Sequence, residues 1–213
     1  MSKSISLRSP PTKQVSTFTA NVEYKPVVSI SQLEGDMHRA IEDKDVTLTC
    51  TVAANPPATK IEWKNSEGAI KSSSGSLTLS KVKLADAGEY VCEATNTRGV
   101  GTGKATLDVL YRPKITLAAT HEFVEGDAAA VECVVDSNPP PSRIMWLKSQ
   151  SVVASGAWLN FTSVDRKNAS DYACSSSNVM IPTDGMREES NSEKGTKVFL
   201  TSTVGSNKWF NHT

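Results

Sequence analysis

Asp86-Ala-Gly-Glu-Tyr90-Val-Cys92, read with Cys50 and Trp63 upstream of it, decides the fold, because the chain repeats the statement. It returns as Asn168-Ala-Ser-Asp-Tyr172-Ala-Cys174, after Cys133 and Trp146. The interval from first cysteine to tryptophan is identical in the two sets, and the interval from cysteine to cysteine differs by a single position. The register extends further: Leu77, Leu79 and Val82 precede Leu159, Phe161 and Val164 by the same interval that separates Tyr90 from Tyr172. Self-similarity at a fixed spacing marks a repeated structural unit. Around each set, apolar residues alternate with polar ones, the period-2 pattern of a half-buried strand. Val46, Leu48, Cys50 and Val52 point inward between Thr47, Thr49 and Thr51; Ile61 and Trp63 alternate with Glu62 and Lys64; Tyr90, Cys92 and Ala94 face in. The second copy does the same with Val131, Cys133 and Val135, then Ile144 and Trp146, then Tyr172 and Cys174. The chain is therefore expected to be all-β, two β-sandwiches in tandem.

The Cys…Trp…Tyr-x-Cys spacing resembles the immunoglobulin superfamily. That resemblance makes Trp63 and Trp146 the core tryptophans and places Tyr90 and Tyr172 at tyrosine corners between the fifth and sixth strands. The stretch from Trp63 to Leu77 is short. It leaves room for one strand, so the compact seven-strand form is expected. The four cysteines fall at the inter-sheet positions, and an even count paired within each repeat reads as disulfides Cys50–Cys92 and Cys133–Cys174. Such bonds persist in an oxidising compartment. Free buried thiols, as in cytosolic muscle-type domains of this superfamily, are the alternative.

Within the superfamily the chain is most similar to adhesion receptors of the nephrin-like and irregular-chiasm-like group. The residues that carry this are Val22-Glu-Tyr24-Lys-Pro26, Cys50-Thr-Val-Ala-Ala-Asn-Pro-Pro57, Glu93-Ala-Thr-Asn96 and Thr106-Leu-Asp-Val109-Leu-Tyr111-Arg-Pro113. The resemblance covers about residues 14–204. It implies a non-enzymatic recognition module of a multi-domain cell-surface receptor, on the extracellular side of the plasma membrane, mediating cell–cell adhesion. The implied partner is a protein, another immunoglobulin-superfamily ectodomain, bound homophilically or heterophilically. An intracellular sarcomeric or cytoskeletal scaffold and a secreted matrix protein are the other classes built from such modules.

Composition bears on other functions. The 23 basic and 23 acidic residues balance to zero net charge and are mixed along the chain, with no basic block to suit nucleic acid. His38, His121 and His212 are the only histidines, and none stands at a zinc-like spacing. No metal, cofactor or small-molecule substrate is expected, and no enzyme. Glu34, Asp36, Glu42, Asp43 and Asp45 are acidic but scattered, a solvated loop and not a calcium site. Gly99-Val-Gly101-Thr-Gly103 reads as a hairpin turn, not a phosphate loop. The first residues lack the apolar core of a signal peptide, and no run is long enough to span a membrane.

The ends look cut from a longer array. Val22-Glu-Tyr24-Lys-Pro26 matches Val109-Leu-Tyr111-Arg-Pro113, position for position at valine, tyrosine and proline. Residues 14–24 are accordingly expected to be the remnant final strand of a preceding domain, after a disordered 1–13. Domain 1 then spans 25–111, domain 2 spans 112–204, and 205–213 is a tail. Proline fixes φ and pushes Arg112 toward extended geometry, so the short linker predicts a stiff rod. The polar stretch after Cys174, as far as Gly195, is expected to be a loop, with the last strand at Thr196–Val204.

Two surfaces stand out. The sequons Asn160-Phe-Thr, Asn168-Ala-Ser and Asn211-His-Thr are candidate glycosylation sites. Leu159 and Phe161 face the core, so Asn160 faces solvent on the sheet of the first cysteine. On the other sheet, Met145 and Leu147 alternate with Ile144 and Trp146 and face outward, with small Ala173 beside them: a candidate partner contact. The alternative is that a strand around Val152-Val153, or the long loop, covers them. Asn168 stands where domain 1 has Asp86, which predicts the loss of any ion pair made there.

Overall fold

The computed structural model describes residues 21–31, 35–183 and 185–201. Asn211, the 1–13 segment, residues 14–20 of the expected remnant strand and the 205–213 tail lie outside these. Domain 1 runs through β1 (Tyr24–Ile30), β2 (Met37–Ile41), β3 (Val46–Asn55), β4 (Lys60–Asn65), β5 (Ile70–Ser72), β6 (Ser76–Leu79), β7 (Gly88–Asn96) and the first part of β8 (Gly99–Thr116). Domain 2 takes the rest of β8, then β9 (Thr120–Val124), β10 (Ala129–Glu132), β11 (Val134–Asn138), β12 (Arg143–Lys148), β13 (Ser151–Ser155), β14 (Trp158–Phe161), β15 (Ser170–Met180) and β16 (Glu188–Thr201). The fold is all-β, with one strand, β5 or β13, between the tryptophan strand and the strand that returns to the back sheet.

In domain 1 the back sheet is β1-β3-β6, and the front sheet is β8-β7-β4-β5 with β2 added parallel to β8. The first strand of the sandwich thus changes sheets between β1 and β2, and both sheets gain an edge from it. Domain 2 copies the arrangement: the end of β8 pairs with β11 at the back, and β9 runs parallel to β16 at the front. Each core is closed by its disulfide, Cys50–Cys92 and Cys133–Cys174. Trp63 and Trp146 are fully buried between the sheets. In the chain-entropy picture, each closed loop of about 40 residues stabilises its domain by about 4 kcal/mol. At the tyrosine corner of domain 1, the Tyr90 hydroxyl donates to the Asp86 carbonyl at 2.9 Å. Tyr172 is buried in the matching place, edge-on to Phe161.

Four expectations change. First, Gly99-Val-Gly101-Thr-Gly103 is not a turn but the start of β8, and the glycines serve a crossing. A Cβ on Gly101 would lie 1.9 Å from the Pro26 carbonyl oxygen, so β1 lies against β8 only because side chains are absent there. Second, the stretch after Cys174 is mostly strand. β15 and β16 pair in unbroken register from Ser170↔Val198 to Met180↔Glu188. The last strand therefore begins at Glu188, not at Thr196. Third, whatever charge pairing goes with Asp86, the change to Asn168 keeps a hydrogen bond that the sequence reading did not include. The Asp86 carboxylate accepts the Lys83 N–H at 2.8 Å, and the Asn168 carboxamide oxygen accepts the Asp165 N–H at 2.7 Å. Capping a backbone donor needs an oxygen, not a charge. Fourth, Glu62 is buried although it points outward, because Lys60 and Lys64 flank it.

The junction has no linker in the ordinary sense. β8 is one 18-residue strand that serves as the last strand of domain 1 and the first of domain 2. Its inward residues Ala105, Leu107 and Val109 belong to the first core, and the next residue, Leu110, is buried as well. Two successive buried residues mean that both faces of the strand are covered at this point. Leu110 packs with Ile41 of domain 1 and Met180 of domain 2 in a small separate cluster.

Candidate contact surfaces

The strand pairings of domain 2 lay out its front face row by row, since residues paired across strands share a face. Leu147 pairs with Val152 on one side and with Ala173 on the other, and Ala173 pairs with Gly195. Met145 sits in the next row with Ser155, Ser175 and Glu193. The row Val152, Leu147, Ala173, Gly195 is thus uncharged and falls to nothing at the glycine. Val152 is exposed, while Met145 and Leu147 are half-buried. β13 lies beside this patch and extends it, and the β15–β16 hairpin runs on past it toward domain 1. Val152 joins the candidate contact residues. The sequence could not place it there, because a bulge between Trp146 and Leu147 shifts the β13 register.

Domain 1 presents the opposite chemistry on its front face. Lys60 contacts Glu62 at 2.9 Å and Lys64 contacts Glu93 at 2.9 Å. Lys104 contacts Glu89 at 3.0 Å on the neighbouring strands. The row that matches Leu147 and its neighbours here reads Ile70, Lys64, Val91, Lys104, so the apolar side chains of this face, exposed Ile70 among them, alternate with charged ones.

The back face of domain 2 carries one sequon, at Asn160, and the turn between β14 and β15 carries another, at Asn168. Asn160 is exposed on β14, opposite Ala130, as its alternation with buried Leu159 requires. Asn168 is half-buried, its carboxamide oxygen engaged in the turn.

A third surface is the junction, which the sequence did not announce. The tip of the β15–β16 hairpin reaches domain 1. Thr183 donates its N–H to the Arg39 carbonyl at 3.0 Å, and the Arg39 N–H donates to the Thr183 hydroxyl at 2.8 Å. Lys44 faces Glu188 at 3.5 Å and Lys114 faces Glu42 at 3.5 Å. The Ser192 hydroxyl donates to the Pro113 carbonyl at 2.5 Å. A cleft of about 520 Å³ lies there, lined in part by Ile41, Glu42, Arg112 and Asn191. The Tyr111 hydroxyl donates to the Asp136 carboxylate at 2.7 Å, and this bond, with a lesser contribution from burial, raises the phenol above its ordinary value.

The acidic residues near the start of domain 1 are engaged singly. Asp43 pairs with Lys83, which lowers its carboxyl and raises the amine; Asp45 accepts the Lys81 N–H at 2.8 Å. Glu34 lies outside the described residues. Among the described residues, no three His, Cys, Asp or Glu side chains gather as a metal site.

A family model described as an immunoglobulin domain matches residues 25–96 and again 112–178. Human Kin of IRRE-like protein 1 is 39% identical over 126 residues, 59% of this chain and 16% of that protein. Chicken neural cell adhesion molecule 1 is 30% identical over 173 residues, 74% of this chain and 15% of that protein. The chain thus spans about a sixth of the length of these curated relatives. Among solved structures, DIP-gamma IG1+IG2 superposes with a TM-score of 0.67 at 18% identity, covering 84% of this chain and 99% of that one. The complex of Dpr2 Ig1-Ig2 with DIP-Theta Ig1-Ig3 contains a chain that superposes at 0.57 and 18% identity, covering 85% of this chain and 66% of that one. At these identities the structures speak for the fold.

Proposed function

The chain belongs to the immunoglobulin domain family, and from that premise we propose that it is a non-enzymatic adhesion and recognition module of a multi-domain cell-surface receptor. It acts on the extracellular side of the membrane and binds another immunoglobulin-superfamily ectodomain, either a second copy or a relative. The observation that carries this is the uncharged row Val152, Leu147, Ala173, Gly195 on the front of domain 2. It has apolar anchors and a polar surround of Ser155, Ser175 and Glu193, the anatomy of a contact patch. It lies on the sheet opposite Asn160, so a glycan there leaves it open. Burying what remains exposed of Leu147 and Val152 contributes about 1.5–3 kcal/mol, one to two orders of magnitude in affinity. Kinship with Kin of IRRE-like proteins and with a neural cell adhesion molecule favours adhesion, and the Dpr2–DIP-Theta complex is one between immunoglobulin-domain chains.

The same reading makes residues 14–24 the end of a preceding domain. Asn55 donates to the Val22 carbonyl and Asn96 to that of Tyr24, as Asn138 and Asn178 do to Val109 and Tyr111. The environment of the true junction is repeated at Val22–Tyr24.

The test is Leu147→Asp in the secreted pair of domains. Self-association by sedimentation, or binding to a relative's ectodomain, is expected to weaken at least tenfold while Tm holds. If the variant unfolds, Leu147 is core and the patch does not exist. If neither quantity moves, the pair is a spacer.

A further inference from the structure

Trp158 is a large apolar side chain that domain 2 leaves half in water: it is 49% exposed on β14. Domain 1 has Ser76 at the matching place, so the fold does not require an aromatic there. Trp158 and Asn160 flank buried Leu159 on one strand, and therefore leave the sheet on the same side, away from the core. Two residues of strand separate them by about 7 Å. Thr162, which completes the sequon, is exposed as well. Across the strand pair Glu132 lies opposite Trp158 and small Ala130 opposite Asn160, so nothing bulky stands between the indole and the sequon.

We infer that Trp158 is the platform on which the first sugar of an N-linked glycan on Asn160 stacks. A pyranose presents one face of C–H groups and a rim of hydroxyls. An indole offers a flat apolar, electron-rich face of similar size and covers part of that C–H face while the hydroxyls stay wet. The occupant of this patch is then the chain's own modification. In the transfer, a bond forms between Asn160 Nδ2 and C1 of the sugar, and the bond from C1 to a phosphate oxygen of a lipid-pyrophosphate oligosaccharide breaks. The amide loses one proton and the lipid pyrophosphate leaves; no electrons are gained or lost. The inference rests on the extracellular reading only for where the chain meets that donor.

The experiment is a double-mutant cycle on the chain secreted from mammalian cells behind an added leader. Glycopeptide mass spectrometry should find Asn160 occupied. Thr162→Ala, which abolishes the sequon, should lower the Tm of domain 2 by about 4 °C, the shift given by a modest contact in a domain of this size. In a Trp158→Ser background the same change should move Tm by less than about 1 °C. With the glycan trimmed to one sugar, its N-acetyl protons should show a ring-current shift that disappears in Trp158→Ser. A bare Asn160 overturns the proposal, as does an equal Tm loss in both backgrounds or an unshifted sugar. Since the leader sets the compartment, these outcomes are independent of whether the front face of domain 2 binds a partner.

Discussion

The side-chain amide of Asn178 donates to the Tyr111 carbonyl at 2.9 Å, joining the end of β15 to the middle of the strand that links the domains. The same amide donates to the Pro139 carbonyl at 3.0 Å, and Ser190 donates to its oxygen at 2.7 Å. Asn178 is fully buried. Asn96 repeats the arrangement in domain 1, donating to the carbonyls of Tyr24 and Pro56. One asparagine per domain thus satisfies the backbone where a strand enters and where the proline loop turns.

Asn178→Ala should therefore cost about 1–3 kcal/mol, since two carbonyls lose their donor in a buried place. Asn96→Ala should cost domain 1 a similar amount. Denaturant unfolding of each domain reads both, and an unchanged midpoint for either would show that water replaces the amide freely.

Met180→Ala should open the junction and leave the two cores intact. The cluster of Ile41, Leu110 and Met180 is small, so the loss is about 2 kcal/mol, at the low end for a buried methionine. Hydrogen exchange at Ile41 and Leu110 should accelerate, and solution scattering should report a wider spread of interdomain angles.

Gly101→Ala places a methyl where the Pro26 carbonyl oxygen already stands. Backbone cannot step aside as a flexible side chain does, so β1 must lift from β8. A loss above about 2 kcal/mol is expected in the melt of domain 1, with domain 2 unaffected.

The Tyr111–Asp136 bond predicts alkaline behaviour. The folded phenol titrates above its reference value of 10.0, so its contribution is complete below that pH and is lost as pH rises through the raised value. Thermal stability of the wild type should fall more steeply above pH 10 than that of Tyr111→Phe.

Both cysteine pairs should be oxidised in secreted material. Intact-mass analysis should count four thiols only after reduction. Two or more free thiols beforehand would favour the intracellular scaffold.

What the sequence determined by itself was everything that depends on local periodicity and on spacing within a repeat. The two sandwiches, their cores around Trp63 and Trp146, the cysteine pairs and the outward side of Asn160 all follow from residues that alternate or recur. The outward side of Leu147 was legible for the same reason, but its neighbour Val152 was not, because a bulge breaks the alternation. The tertiary structure alone decided what lies between repeats. Residues 188–195 read as loop because both their faces are largely solvated, and a strand without an apolar face has no periodic signature. Their pairing is enforced by backbone hydrogen bonds to β15 and by the contacts of the hairpin tip with Arg39 and Lys44. The need for glycine at position 101 likewise comes from Pro26, at the far end of the domain in sequence, which meets it only when the first strand crosses the last.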